Sequence, residues 1–170
     1  MSIYIEFMTD KNVKGEVKQK GYEGFVELES VTFAMEKPGE GLTGSARRRG
    51  DVKMNDISVT KFFDSSSAEF CKNIAGGKVF ETIKIIFTAS FSKDPSADTS
   101  KSTQKPYLEL ELGQVQVTNY SMSGDGEETP KEELSFNYET IKSVYKQYDK
   151  HGVFQNDVPW GYTVDTGEMI

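Results

Sequence analysis

Few residues in this chain have the type and spacing to do covalent chemistry. Gly39, Gly41 and Gly44 satisfy the G-x-G-x-x-G spacing of a dinucleotide site. That site needs the turn to open a helix inside a βαβ unit, with pyrophosphate on the helix N-terminus. Here Ser45-Ala-Arg-Arg-Arg-Gly50 follows, with no apolar helical face, so the segment reads as a loop. His151 is the only histidine, and any Ser/His or Cys/His pair would have to use it. It lies beside Gly152, near the C-terminus, where no nucleophile motif accompanies it. One histidine and one cysteine cannot close a nitrogen–sulfur metal site. Cys71 is expected to be a small buried hydrophobe on the apolar face of a helix. The acids of Gly124 to Glu133 lack the ligand spacing of a calcium loop. Many acids could form a hydrolytic carboxylate pair, but nothing marks one pair over another. Asn119-Tyr-Ser121 fits a glycosylation sequon but falls inside an expected strand. The expectation is a protein that is not an enzyme, with no cofactor and no metal.

The elements that would position any site are strands. With 11 Phe and 8 Tyr in 170 residues, the aromatic content suits strands better than helices. Apolar residues alternate at Ile3, Ile5 and Phe7, and again at Val31, Phe33 and Met35. The same pattern holds at Ile57, Val59 and Phe63, from Ile83 through Ile85, Phe87, Ala89 to Phe91, at Leu108, Leu110 and Leu112, and at Leu134, Phe136 and Tyr138. Period-two alternation puts one face on a core and the other in water, as in antiparallel sheets.

Several runs change phase. Val26 and Leu28 give way to Val31, Leu112 to Val115 across Gly113, and Tyr138 to Ile141 and Tyr145. A β-bulge does this, as does a corner where a strand leaves one sheet for another. The fold predicted is all-β: an antiparallel β-barrel of two strongly twisted sheets with one flanking helix near 66–75. Ser66 with Glu69 has the spacing of a capping box, Phe70, Cys71 and Ile74 share a face, and Gly76-Gly77 supplies a left-handed stop. Three stretches lack alternation: an extended loop at 36–50, a polar loop at Lys93 to Pro106, and the acidic turn Gly124 to Glu133. Residues 147–170 read as a less regular tail, and the whole of 1–170 as a single domain.

With 20 basic and 27 acidic side chains the formal charge is −7, which repels phosphate backbones and makes nucleic acid an improbable partner. No window reaches the roughly 18 apolar residues of a membrane span. Met1 to Lys11 has no charged start followed by an apolar run, so the expected location is the cytoplasm, or outside the cell by a route that reads no N-terminal signal.

Five segments, at residues 13–28, 56–67, 107–124, 130–138 and 147–162, resemble the Hcp (hemolysin-coregulated protein) family of type VI secretion. Val13-Lys-Gly-Glu16 with Lys20 to Leu28 is similar to the family's opening "V-x-G-E … H-K-G-W-I-E-V", with Gln19 and Phe25 in place of the histidine and tryptophan. Asp56 to Ser67 is similar to "D-L-x-V-T-K-x-x-D-x-A-S". Tyr107 to Leu112 and Val115 to Gly124 resemble the long strand before a glycine-rich turn, and Pro130, Glu132 and Leu134 to Tyr138 the strand after it. Gln147 to Gly152 with Gly161-Tyr162 resembles the tail of one branch of the family. The Lys93–Pro106 loop is longer than the resemblance implies, and Arg47 to Arg49 make the 36–50 loop more basic.

The resemblance implies a secreted structural subunit. Six copies would close into a ring, and rings would stack into an inner tube, with a contractile sheath, a spike protein and effector cargo as partners. The alternatives are a monomeric barrel holding a small ligand and a phage-type tail tube protein. Opposite charge on separate loops suits a contact between subunits. Arg47, Arg48 and Arg49 on one loop, and Asp125, Glu127 and Glu128 on another, are the candidate inter-subunit residues.

Overall fold

The computed structural model describes residues 1–37, 52–90 and 104–170. Along the chain run β1 (Ser2–Phe7), β2 (Val26–Leu28), β3 (Ser30–Thr32), β4 (Met35–Glu36), β5 (Lys53–Met54), β6 (Ile57–Phe62), α1 (Ser67–Gly76), β7 (Val79–Ser90), β8 (Gln104–Ser123), β9 (Lys131–Asn137), β10 (Thr140–Tyr148), β11 (Phe154–Thr163) and β12 (Glu168–Met169). Every strand pairing among the described residues is antiparallel. One path of paired strands runs β12-β11-β10-β8-β7-β1-β2. A branch leaves β8 through β9 and β6 to β3. The expected closed barrel is not present as one hydrogen-bonded circuit, because Glu29 separates β2 from β3.

The phase changes at Leu112–Val115 and Tyr138–Ile141 have one physical origin. β8 keeps a constant register with β7 from Phe80↔Val115 through Ile83↔Leu112. On its other edge, β8 faces β9 as far as Gln116↔Asn137 and then β10 from Gly113↔Thr140. Leu112 is therefore flanked by Ile83 and Ile141, whereas Val117, beyond the phase change, is paired with Phe136. All these side chains are buried. The strands thus exchange inward faces along a single line, which makes a corner and not a set of separate bulges. Gln114 sits at that line with φ 52, the left-handed region. Gly113 beside it is required by close approach, since a Cβ there would stand 2.3 Å from Thr140 Oγ1. A true bulge does occur one step on, between Val117 and Asn119.

The core behind this corner is continuous and apolar, including Ile5, Ile57, Ile83, Leu112, Leu134 and Phe136. A satellite cluster stacks Tyr4 on Tyr22 with ring centroids 4.9 Å apart on the far side of β1. Helix α1 buries Ser67, Phe70 and Asn73 and ends where Gly77, at φ 64, donates its N–H to the carbonyl of Ile74. Lys78 N–H reaches back to Asn73 O at 3.0 Å, completing the left-handed stop.

Several expectations need correction. Ser66 and Glu69 make no capping box: Ser66 makes no side-chain cap bond. The cap sits two residues upstream, where Asp64 Oδ1 accepts the Ser66 N–H at 2.9 Å and Ser67 Oγ accepts the Asp64 N–H at 3.0 Å. Cys71 is exposed, because the buried face follows Ser67, Phe70 and Asn73. Phe63 is exposed, as are Met35 and Tyr145. Residues 147–170 are not irregular, since β11 pairs with β10 along its length and β12 folds back on β11. Gln104, Lys105 and Pro106 belong to β8, not to a loop. The remainder of that loop, the G-x-G-x-x-G glycines and most of 36–50 lie outside the described residues. Of 36–50, Glu36 belongs to a two-stranded stem with Lys53.

Candidate functional site

The inward position after Ile57 and Val59 on β6 is taken by Lys61, which is fully buried. Two strand pairings bring its partners. Lys61 faces Glu132 across the β6–β9 ladder, and Tyr120 lies on the opposite edge of β9. Lys61 Nζ donates to Glu132 Oε2 at 2.6 Å, to Phe62 O at 2.7 Å and to Ser67 Oγ at 3.1 Å. It also stands 2.9 Å from Asp64 Oδ1. Glu132 is equally saturated, accepting from Ser67 Oγ at 2.7 Å and from Tyr120 OH at 2.5 Å. The Phe70 ring closes one side, its centroid 5.9 Å from the ammonium. Burial, then the bond to Glu132, hold the Tyr120 hydroxyl far above the ordinary phenol range. Every charged atom has a partner, which a buried ion pair requires.

The far end of the same hairpin repeats the device at the surface. Asp56 accepts from Thr118 Oγ1 at 2.6 Å on β8 and from Asn137 Nδ2 at 2.9 Å on β9. Burial and the nearby Asp56 charge raise the Tyr138 hydroxyl to about 12, and it donates to Asn55 O. The segments whose residues carry the family resemblance (Asp56 to Ser67, Val115 to Gly124 and Pro130 to Tyr138) are thus bound to one another at both ends of β6. These are positioning contacts. Among the described residues, no group of three or more His, Cys, Asp or Glu side chains is arranged to hold a metal ion.

The candidate inter-subunit residues divide. Asp125, Glu127 and Glu128 occupy the exposed β8–β9 turn, where Asp125 Oδ1 accepts the Glu127 N–H at 3.0 Å. The backbone N–H groups of Glu127 and Glu128 hold the Asp125 carboxyl below its usual range. Arg47, Arg48 and Arg49 lie outside the described residues, so their meeting with the turn is not seen. His151 is exposed in the β10–β11 turn, where Asp149 Oδ1 accepts the N–H groups of His151 and Val153. Asn119 is on β8, paired with Ser135.

Comparison with known proteins now decides the family. A family profile described as "Type VI secretion system effector, Hcp" matches residues 7–145. The chain belongs to the Hcp family. A solved structure titled as a type six secretion system protein covers 99% of each chain at 21% identity, with a TM-score of 0.81. Hcp1 from Salmonella typhimurium covers 99% of this chain and 98% of its own at 18% identity, with a TM-score of 0.74. A type VI secretion system effector from Yersinia pestis covers 95% and 99% at 15% identity, with a TM-score of 0.68. At these identities the likeness shows the fold, which is therefore the Hcp fold. No curated protein matches the chain. Among the described residues no helix is long and apolar enough to cross a membrane.

The buried pair was missed from sequence although a signal existed. Lys61 is in phase with Ile57 and Val59, and Glu132 is in phase with Leu134 and Phe136. Opposite charges at inward positions of two strands are what a buried pair looks like in one dimension.

Proposed function

We propose that this Hcp protein is a tube subunit of a type VI secretion system. Six copies close into a ring, rings stack into the inner tube, and the tube leaves the cell with effector cargo, driven by a contractile sheath behind a spike protein. The role is structural and needs no catalysis, no cofactor and no N-terminal signal. The observation that carries this reading is the family match across residues 7–145.

In this reading the chain is one domain, and β2 and β3 act as a single strand bent at Glu29. The Glu29 N–H already reaches Thr60 O at 2.8 Å, bridging the gap. The succession β1, β2–β3, β6, β9, β8 and β7 then closes a barrel, with α1 alongside. The outer edge of β11 supports assembly, since β12 pairs only with Tyr162 and Thr163. An open strand edge is a means of contact between chains. Phe154 and Val158 on that strand are exposed.

A ligand-carrying monomer is disfavoured by the filled interior, where Ile57, Ile83, Leu112, Leu134 and Phe136 are fully buried. Size-exclusion chromatography with light scattering separates the two readings. The expected species has six times the 19.1 kDa mass of the chain. A single chain persisting at high concentration would overturn the ring.

A further inference from the structure

We propose that an open, acidic groove is a docking site for a basic peptide segment of another protein, one that carries apolar side chains beside its arginines. The groove has a volume of about 990 Å³. Its apolar lining is built on three paired strands: Ile3 of β1 faces Leu28 of β2 on one side and Phe87 of β7 on the other. Phe62 and Phe63 also line it and are 40% and 46% exposed, unusual for two adjacent large aromatics. Glu16, Glu27 and Glu29 supply negative charge, and no lysine, arginine or histidine side chain lines the groove. Among the described residues neither Glu16 nor Glu27 is paired with a cation. A cleft lined by one sign of charge over apolar walls focuses its field and draws in the opposite charge.

The protein supplies its own example of how a cation sits here. Lys131 Nζ stands 3.2 Å from Glu29 Oε2 and 5.0 Å from the Phe62 ring centroid, so one ammonium meets a carboxylate and an aromatic ring together. The Phe63 ring and the carboxylates of Glu16 and Glu27 hold the same two kinds of contact ready for a further cation. A guanidinium uses both, because it binds carboxylates through a planar fork and stacks on aromatic faces. The apolar lining then selects among basic chains. A leucine beside the cations buries surface against Ile3, Leu28 and Phe87, whereas an all-polar basic chain gains nothing there. Strands carry these residues and Phe62, so the surface is formed before binding and little ordering is needed. The open shape suits a stretch of polypeptide, since a small ligand is normally held where most of its surface is covered.

A fluorescein-labelled Arg-Leu-Arg-Leu-Arg peptide, titrated with the full chain and read by anisotropy, tests the proposal in whatever assembly the chain forms. Saturable binding is expected. The Arg-Ser-Arg-Ser-Arg peptide should bind on the order of tenfold more weakly, and Glu-Leu-Glu-Leu-Glu should not bind. Glu27→Lys/Glu29→Lys should weaken binding of the first peptide on the order of tenfold, and Phe63→Ser about threefold. The isosteric Glu27→Gln/Glu29→Gln should lose about threefold, and it reads the same site if charge reversal unfolds the chain. Asp165→Lys/Glu168→Lys makes the same change of charge at the opposite end of the strand path and should leave affinity within about twofold, because salt screens distant charge. An equal loss in that distal set, or equal binding of the Arg-Ser peptide, overturns the proposal, since attraction to the net charge of −7 then explains the binding. No binding with the chain at millimolar concentration overturns it, as does affinity unmoved by the groove variants. Anisotropy that falls again as the chain is concentrated overturns it too, because a second copy then fills the groove.

Discussion

Two regions that share β8 and β9 are held by different physics. At the corner, the side chains of Leu112, Val115, Phe80 and Ile141 meet through apolar burial, an attraction with no preferred direction. Under helix α1, Lys61 and Glu132 meet through hydrogen bonds with fixed partners. An apolar corner tolerates small shifts of one side chain over another. A buried ion pair does not, because each displaced bond leaves charge without water or partner. The corner therefore sets the curvature of the sheet, whereas the ionic pocket sets where α1 sits on it. Hydrophobic isosteres often match or exceed a buried pair in stability, so what the pair adds here is position.

The sharpest way to break this contrast is to remove half of the pair. Glu132→Ala leaves the Lys61 ammonium buried, and a cost of about 3–5 kcal/mol is expected. Lys61→Met with Glu132→Leu removes both charges and should cost far less than Glu132→Ala alone. Urea denaturation of Lys61→Met, Glu132→Leu and the double closes the cycle. A double that costs the sum of the singles would make the pocket additive and the ion pair irrelevant to it.

Gly113 is the corresponding test of the corner. A Cβ there meets Thr140 Oγ1 at 2.3 Å, so Gly113→Ala forces the Thr140 side chain out of its place, at a cost of about 1–3 kcal/mol. The added Thr140→Ala change removes the opposing hydroxyl and should return most of that loss. A thermal midpoint unmoved by Gly113→Ala would mean the corner opens freely.

The same contrast explains what was legible in the sequence. Alternation located most of the long strands and the phase changes at Leu112 and Tyr138, because apolar burial leaves a one-dimensional trace: Tyr138 to Ile141 announces the corner by its spacing. It could not say whether each change was a bulge or part of a shared line, since register between strands is a tertiary fact. It fails at Lys61, where an inward polar residue breaks the pattern and Phe63 has the spacing of the next core position. Phe62 and Phe63 instead stand exposed side by side. The tail was misread because β11 from Phe154 to Val158 is exposed on both faces. A strand with no buried face has no alternation to read.

The smallest effect concerns the ends of α1, where directional and non-directional terms can be compared on one element. At the C-terminus Gly77 holds φ 64, and an L-residue there costs roughly 1–2 kcal/mol in left-handed backbone. Gly77→Ala should lower stability by about that amount. At the N-terminus Glu69 makes no capping bond. Its carboxylate meets Lys72 at 2.6 Å on the surface, an exposed pair worth about 0.2–0.5 kcal/mol. Glu69→Ala is therefore expected to change stability by only a few tenths of a kcal/mol. A loss near 1 kcal/mol, the size of a missing N-cap, would restore the capping box in solution and remove Asp64 and Ser67 from that role. Parallel urea melts of the two variants decide it, because the expected gap between them exceeds the usual error of a midpoint comparison.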